Sequence, residues 1–422
     1  MKTISVDWEL AGGSINLGSL EILPSECKTK ETFFFTPTSE GFQLMRQLGL
    51  NPDSGCGEMR ADTPTELTTS DLLLRVILDS VPDFWGQRVL RERERESARL
   101  EGRRPRRLGV IDYLPIDEQR IVKGSTRFRR ADGYEETLPE MSLPTFNEFA
   151  RLEHGMQLIE SRSLLPLDEL DCLARISSSL GGARPKANCV ARDGSLWIAK
   201  LPSVFDEWDV EVWEMVCLEL AKRCGLTIPE AKLMKLSNGK STLLVKRFDR
   251  NGSVPIPFLS AKVFADANED QSLGGSRNVQ SDERFSYLDI ARFLKHQDVP
   301  KSELRELWMR VVFNMAVSNT DDHIKNHGYL YSYVDSKWHL SPVYDITPNP
   351  FGEFLSLNVD GVDTRINFDL ALSVAERFGI GATDAAATIS GIKRIVSSEW
   401  RPLAKRFGIN ESEIDLMTNA FQ

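Results

Sequence analysis

Asn319-Thr320-Asp321-Asp322-His323-Ile324-Lys325-Asn326, at the end of an amphipathic helical pattern, is the stretch that decides the reading. Asp321 and Asn326 stand five apart, the Asp-x-x-x-x-Asn spacing of a phosphotransferase catalytic loop. That chemistry needs a carboxylate to accept or orient the proton of an attacking hydroxyl. It also needs a neutral, hard oxygen, such as a carboxamide, to hold Mg2+ without adding charge beside the phosphates. A polar helix end with a turn uses the same residue types for structure alone, so the flanks must be weighed too.

Upstream, Leu304, Leu307, Trp308, Val311 and Met315 make one apolar stripe on a helix expected over 302–317, and this stripe is read as core. Downstream, 329–334 and 337–344 read as two strands around Asp335-Ser336. The hairpin delivers Tyr344-Asp345-Ile346, so Asp345 stands where kinases place a metal-binding aspartate facing the loop Asn; the usual Phe-Gly does not follow it. His323 and His327 are four apart, a spacing also found in zinc sites, but zinc needs a helix and a third ligand. His323 is expected instead to shape the loop through hydrogen bonds to Asp321 or to backbone.

A phosphate site must lie earlier in the chain. Gly239-Lys240-Ser241 ends like a Walker A loop, yet Met234 stands where the earlier glycine is required, and the context is strand-turn-strand. Ser177-Ser178-Ser179-Leu180-Gly181-Gly182-Ala183-Arg184-Pro185-Lys186 fits better, because paired glycines let backbone N–H groups approach phosphate oxygens. It precedes a hairpin marked by Asp193-Gly194 and ending at Trp197-Ile198-Ala199-Lys200, the strand context of a kinase phosphate lysine. A surface lysine closing a strand is the structural alternative for Lys200. Such a lysine is held by a helix carboxylate, which Glu211 or Glu214 in the following helix (207–224) supplies, while Glu207 and Glu219 are expected to face solvent.

The chain has 422 residues, 41 % hydrophobic and 27 % charged, with a net charge of −10. These values describe an ordinary globular protein of two to three units and exclude binding to nucleic acid through bulk charge. No window has the ~18 apolar residues of a membrane helix, and the amino terminus carries no secretory pattern. Six cysteines, at 27, 56, 172, 189, 217 and 224, form no Cys-x-x-Cys pair, which points to free thiols and a cytoplasmic protein.

The expected organisation is α+β in three stretches: 1–135, 136–250 and 251–422. The first opens with short mixed segments and continues into a helical stretch, 71–99, with alternating Arg and Glu. Its tail, Arg103-Arg104-Pro105-Arg106-Arg107, lacks neighbouring acids and is a candidate contact for phosphate or an acidic partner. A polar junction spans 132–146. Short strands then dominate to about 250, including a hairpin at 232–236 and 242–248 around Asn238-Gly239. The last stretch is mainly helical, at 287–295, 302–317, 369–378, 385–407 (with a break expected at Pro402) and 411–421, with a polar loop at 266–283.

Taken together the residues resemble the HipA-like serine/threonine kinases of bacterial toxin–antitoxin systems. The resemblance is carried by Val81-Pro82-Asp83-Phe84-Trp85-Gly86-Gln87-Arg88-Val89-Leu90, Asp112-Tyr113-Leu114, the Ser179 to Lys186 loop and Ile198-Ala199-Lys200-Leu201-Pro202. It continues through Lys246-Arg247-Phe248-Asp249-Arg250, Pro257-Phe258-Leu259-Ser260-Ala261, Ser286-Tyr287-Leu288-Asp289, the Asp321 to Asn326 loop and Tyr344-Asp345. The resemblance implies a two-lobed protein-kinase-like fold, with an extra N-terminal subdomain, a small mixed β N-lobe and a mainly helical C-lobe. It implies ATP and Mg2+, transfer to Ser or Thr of a protein (by family analogy an aminoacyl-tRNA synthetase), and a HipB-like helix-turn-helix antitoxin that alone touches DNA.

By position Asp321 resembles the catalytic base, and Asn326 and Asp345 the metal ligands beside Tyr344 and His323. Lys200 resembles the phosphate lysine with Glu214 as its partner, and Gly181, Gly182, Ala183, Arg184, Pro185 and Lys186 the phosphate loop. Lys246, Arg247 and Phe248 resemble the adenine hinge, and Ser179, with Ser177 and Ser178 as neighbours, a self-phosphorylation site. Two other roles remain open: a kinase of the same fold with a non-toxin role or another acceptor, and a non-catalytic co-repressor subunit whose Arg103–Arg107 patch touches DNA phosphate.

Overall fold

The computed structural model describes residues 2–24, 31–50, 59–116, 120–130, 143–177, 179–236, 239–265 and 285–422. The polar loop at 266–283, most of the junction at 132–146, Ser178, Asn238, Cys27 and Cys56 lie outside the described residues. Cys172, Cys189, Cys217 and Cys224 are free thiols. The chain is mixed α+β and divides into two compact units, Met1–Phe205 with Asp249–Leu259, and Asp206–Phe248 with Ser260–Gln422.

The first unit opens with β1 (Lys2–Leu10), β2 (Gly13–Pro24), β3 (Glu31–Pro37), α1 (Ser39–Gln47) and β4 (Thr65–Leu67). Next come α2 (Leu72–Asp79), α3 (Phe84–Leu100), α4 (Val110–Tyr113) and β5 (Thr126–Arg130). The strands form one antiparallel sheet in the order β4-β3-β2-β1-β5. The short mixed segments expected here are long strands. Ile4, Val6 and Trp8 alternate onto the core face with polar residues between them, and a register shift after Val6 interrupts the period.

The expected helix over 71–99 is two helices. Ser80 caps α2, and Pro82, which lacks an N–H and restrains the residue before it, separates the pair. Arg103 and Arg106 of the Arg103–Arg107 tail are compensated after all. Arg103 bonds Glu94 at 2.5 Å and Glu101 at 2.5 Å, while Arg106 bonds Asp112 at 2.7 Å. The hydrogen bond from Arg103 outweighs burial and holds the Glu94 carboxyl at about 2.

The unit continues with α5 (Phe149–Glu160) and α6 (Leu167–Ser177), then β6 (Lys186–Val190) and β7 (Leu196–Lys200). Short strands were expected to dominate this stretch, yet Leu170, Leu173, Ala174 and Ile176 are buried at helical spacing on α6. β6 and β7 pair as the expected hairpin, with Gly194 in the turn at φ +82°.

The second unit begins with α7 (Val210–Arg223), β8 (Ala231–Lys235) and β9 (Ser241–Lys246). The ribbon of β10 (Arg250–Asn251) and β11 (Val254–Pro255) belongs with the first unit, and β12 (Phe258–Ser260) follows it. Then come α8 (Ala261–Phe264), α9 (Tyr287–His296), α10 (Lys301–Ala316), β13 (Gly328–Ser332), β14 (Lys337–Leu340), α11 (Phe368–Val374), α12 (Ala382–Arg406) and α13 (Glu411–Leu416).

α7 groups with the C-terminal helices because Trp213 packs against Trp400 of α12 and against Phe421, with ring centroids 6.3 and 5.7 Å apart. Its indole N–H donates to Glu413 at 2.7 Å. The stacked Trp400–Phe421 pair, 4.6 Å apart, and buried Leu403 and Ala404 carry α12 through Pro402, where a break was expected. Packing here outweighs the ~3 kcal/mol that proline costs inside a helix.

Candidate active site

The candidate residues fall into two groups. Asp321, His323, Asn326, Tyr344, Asp345, Glu214, Lys246, Arg247 and Phe248 belong to the second unit; Ser177, Ser179, Gly181 to Lys186 and Lys200 belong to the first.

In the second unit the stripe on α10 is core: Leu304, Leu307, Trp308, Val311 and Met315 are buried. The helix stops at Ala316, and Ser318 turns the chain through φ +47°. This left-handed conformation is uncommon for a residue with a Cβ. Asn319 then bonds back to Asn314 by its amide N–H at 2.8 Å and its side chain at 3.0 Å. The loop closes on itself, because the Asp321 carbonyl accepts from the His323 N–H at 2.9 Å and from Asn326 Nδ2 at 3.1 Å. With Nδ2 committed, Asn326 offers its Oδ1 for coordination.

Beneath the loop lies Asp322, which sequence reasoning passed over. Its buried carboxylate accepts from Tyr287 Oη at 2.5 Å and Asn314 Nδ2 at 2.7 Å, and it pairs with His327 Nε2 at 2.9 Å. Burial alone raises a carboxyl pKa, but the adjoining His327 and the hydrogen bonds hold this one below the ordinary carboxylate range. Burying the charge costs several kcal/mol. Bonds to a charged acceptor, about 1.5–3 kcal/mol each, offset it only if all are made. His327, set aside above as a metal ligand, is therefore the ring that supports the loop. His323 shapes it through backbone, while its own Nδ1 is buried and finds no partner among the described residues.

The segment carrying Asp345 is tied to this loop directly. Tyr344 Oη donates to the Lys325 carbonyl at 2.7 Å, and the Thr347 N–H reaches Asn319 Oδ1 at 3.4 Å. β14 ends at Leu340, sooner than expected, so Asp345 sits on irregular backbone, at φ +62°. Non-glycine residues held in this region mark sites where the surroundings over-determine the backbone.

Asn326 and Asp345 offer a carboxamide and a carboxylate oxygen, donor types that suit Mg2+, which keeps water and phosphate oxygens in its other positions. Among the described residues no three His, Cys, Asp or Glu side chains gather into a metal cage. Glu214 and Glu211 are both buried in α7. Lys246 pairs with Glu230 at 3.0 Å, and the Phe248 and Tyr344 rings lie 5.6 Å apart.

In the first unit Gly182 adopts φ +91°, and a Cβ there would collide with the Lys186 ammonium. The β6–β7 register sets Lys186 directly opposite Lys200. Like charges at one cross-strand pair repel, so such a pair needs anionic neighbours. Ser179 is buried, donating to the Ile121 carbonyl at 2.7 Å, and Ser177 donates to the Lys186 carbonyl at 2.9 Å.

A carboxylate and a carboxamide five residues apart, an aspartate on a segment hydrogen-bonded to the same loop and, in the other unit, a glycine loop before two lysines are residue types that a phosphotransferase uses. The family follows from comparison with known proteins. Residues 178–400, more than half of the chain, match the model of the HipA-like C-terminal domain, and the chain belongs to that HipA-like family.

A putative kinase of Haemophilus influenzae is 22 % identical over 216 residues, 48 % of this chain and 57 % of that protein. The putative kinase Y4mE of Sinorhizobium fredii is 24 % identical over 321 residues, 71 % of this chain and 63 % of that one. The chain thus spans about three-fifths of the length of these curated relatives. HipA of Shewanella oneidensis, solved with HipB and its operator DNA, shares the fold, with a TM-score of 0.63 at 15 % identity over 99 % of this chain and 94 % of that one. Among the described residues no helix is long and apolar enough to cross a membrane.

Proposed function

We propose that this chain is an ATP- and Mg2+-dependent protein serine/threonine kinase, acting as the cytoplasmic toxin of a HipA-type pair. In this reading the fold is two-lobed and kinase-like, with 1–135 as the N-terminal subdomain, 136–250 as the N-lobe and 251–422 as the C-lobe. The observation that supports it is the loop geometry: Asn326 Nδ2 on the Asp321 carbonyl at 3.1 Å and Tyr344 Oη on the Lys325 carbonyl at 2.7 Å, which tie Asn326 and the residue before Asp345 to the loop of the exposed Asp321.

Asp321 accepts the proton of the acceptor hydroxyl and aims its oxygen at the terminal phosphorus. Lys200 and Lys186, with N–H groups of the Gly181–Lys186 loop, hold the phosphates, and Glu214 orients Lys200. Backbone groups of Lys246, Arg247 and Phe248 take the adenine. Asn326 and Asp345 would hold a metal ion, which would supply positive charge to offset that of the phosphates. The remaining barrier is lowered by positioning.

The antitoxin partner is a HipB-like helix-turn-helix protein, a reading supported by the neighbour solved with HipB and DNA. An aminoacyl-tRNA synthetase is the acceptor proposed by analogy with the family. Ser179 is the proposed site of self-phosphorylation. Its hydroxyl is buried on Ile121, so a phosphate of about −1.5 to −2 charge there forces the loop outward.

Purified protein is incubated with γ-labelled ATP, Mg2+ and a bacterial lysate as acceptor. The expected result is acid-stable labelling of Ser or Thr that disappears in Asp321→Ala and with EDTA. Labelling that survives the substitution contradicts the kinase reading. Absence of label from wild type under all conditions favours a non-catalytic subunit.

A further inference from the structure

We infer that Asp83, in the N-terminal stretch outside the family match, is a positioning residue for the Gly-rich loop, its carboxylate holding the Gly182 N–H until a nucleotide phosphate takes it. The inference rests on reading Gly181 to Lys186 as the phosphate loop and names what governs that loop. Asp83 is the N-cap of α3, with extended backbone at φ −81° and ψ −157°, yet its side chain makes no bond to the helix it begins. Aspartate at this position ordinarily accepts an N–H of the first turn.

Here the carboxylate reaches across 99 residues of sequence and accepts from the Gly182 N–H at 2.9 Å. The Trp85 N–H donates to the Gly182 carbonyl at 3.2 Å, so the start of α3 grips both polar groups of that glycine's backbone. The Trp85 indole reaches Ser177 Oγ at 3.3 Å, at the root of the same loop.

Space and charge agree with this assignment. A Cβ at Gly181 would lie 3.0 Å from Asp83 Oδ2, tighter than ordinary packing. The Lys186 ammonium lies against Gly182 from its own side. An anion beside a lysine, accepting a glycine N–H, is what a bound phosphate also is. Asp83 therefore competes with phosphate for one donor, and its charge repels the incoming group. Loop and carboxylate separate when nucleotide enters.

The test measures binding of AMP-PNP with Mg2+, and of adenosine alone, to the full chain by calorimetry. Wild type is compared with Asp83→Ala and the shape-conserving Asp83→Asn, and melting temperatures are recorded alongside. Removing a competing charged hydrogen bond should tighten AMP-PNP binding about 10-fold in Asp83→Ala and less in Asp83→Asn, with adenosine unchanged. Weaker or unaltered AMP-PNP binding in both variants overturns the inference, as does a parallel change for adenosine, which marks a purely structural role. A wild type that binds neither compound overturns the nucleotide reading itself, whereas wild-type binding with no gain in the variants removes only the assignment of Asp83.

Discussion

The catalytic loop and the Gly-rich loop are held in opposite ways. Residues 319–326 rest on a buried charge, Asp322, that bonds Tyr287, Asn314 and His327, and the loop's own backbone closes over it. No member of that set can leave without stranding a buried partner. The Gly-rich loop hangs instead from hydrogen bonds to separate groups outside it, Ser179 on Ile121 and Gly182 on Asp83 and Trp85, with glycine at a positive φ. Such bonds exchange readily for others. In the proposed reading the chemistry-bearing loop is thus prepositioned, and the phosphate-holding loop is built to adjust.

Substitutions can break or sharpen this contrast. The largest effect is expected on catalysis. Asp321 is exposed at the loop tip, so Asp321→Ala should lower phosphotransfer by about 10²–10⁴-fold, the range for a lost general base, with little change in melting temperature. A large drop in stability instead would mean that the tip also supports the fold. Next comes Asp322→Ala, which strands His327 and Tyr287 and should cost about 3–5 kcal/mol in chemical denaturation. A cost below about 1 kcal/mol would show that the buried network does not hold the loop.

In the Gly-rich region, Lys200→Ala should weaken Mg·AMP-PNP binding about 10-fold while leaving the denaturation midpoint near wild type. Unchanged affinity would place Lys200 away from the phosphates. The smallest effect concerns the hairpin that leads to Asp345. His339 bonds Glu303 at 2.8 Å and Asp335 at 2.9 Å. Burial opposes its charge, but the bonds to the two carboxylates prevail and raise its pKa. A raised folded-state value means a stabilisation present below the ordinary histidine pKa of about 6.5 and lost as pH rises through the folded one. His339→Gln should therefore lower the melting temperature near pH ~6 and much less near pH ~9, the screened effect being at most about 1 kcal/mol. A deficit that grows toward alkaline pH would reverse the sign.

The same contrast governs what was legible in the sequence. Asp321 and Asn326 lie within one turn of chain, and the stripe on α10 repeats at helical spacing, so both are visible locally. The support beneath them is not, because Tyr287, Asn314, Asp322 and His327 meet only when α9, α10 and the loop are folded together. A buried-acid signal does exist, since Asp322 stands between a helix end and the apolar Ile324, but nothing local names its partners. For the same reason the supporting ring of His327 goes unread, while His323 shapes the loop through backbone as expected. Asp83 falls inside the single helical stretch read over 71–99, and the Arg103–Arg107 tail reads as uncompensated, because their partners lie elsewhere in the chain. Alternation interrupted by a register shift hid the first strands, and Pro82 divided a helix whose apolar pattern runs on either side of it.

The central claim is that residues far apart in sequence surround one magnesium nucleotide, and a crystal structure with Mg2+ and AMP-PNP tests it most directly. The account predicts the metal ion on Asn326 Oδ1 and the Asp345 carboxylate, with the phosphates against Lys200 and the Gly181–Lys186 backbone. A nucleotide bound with its metal touching neither Asn326 nor Asp345, or with Lys200 away from every phosphate, would contradict it.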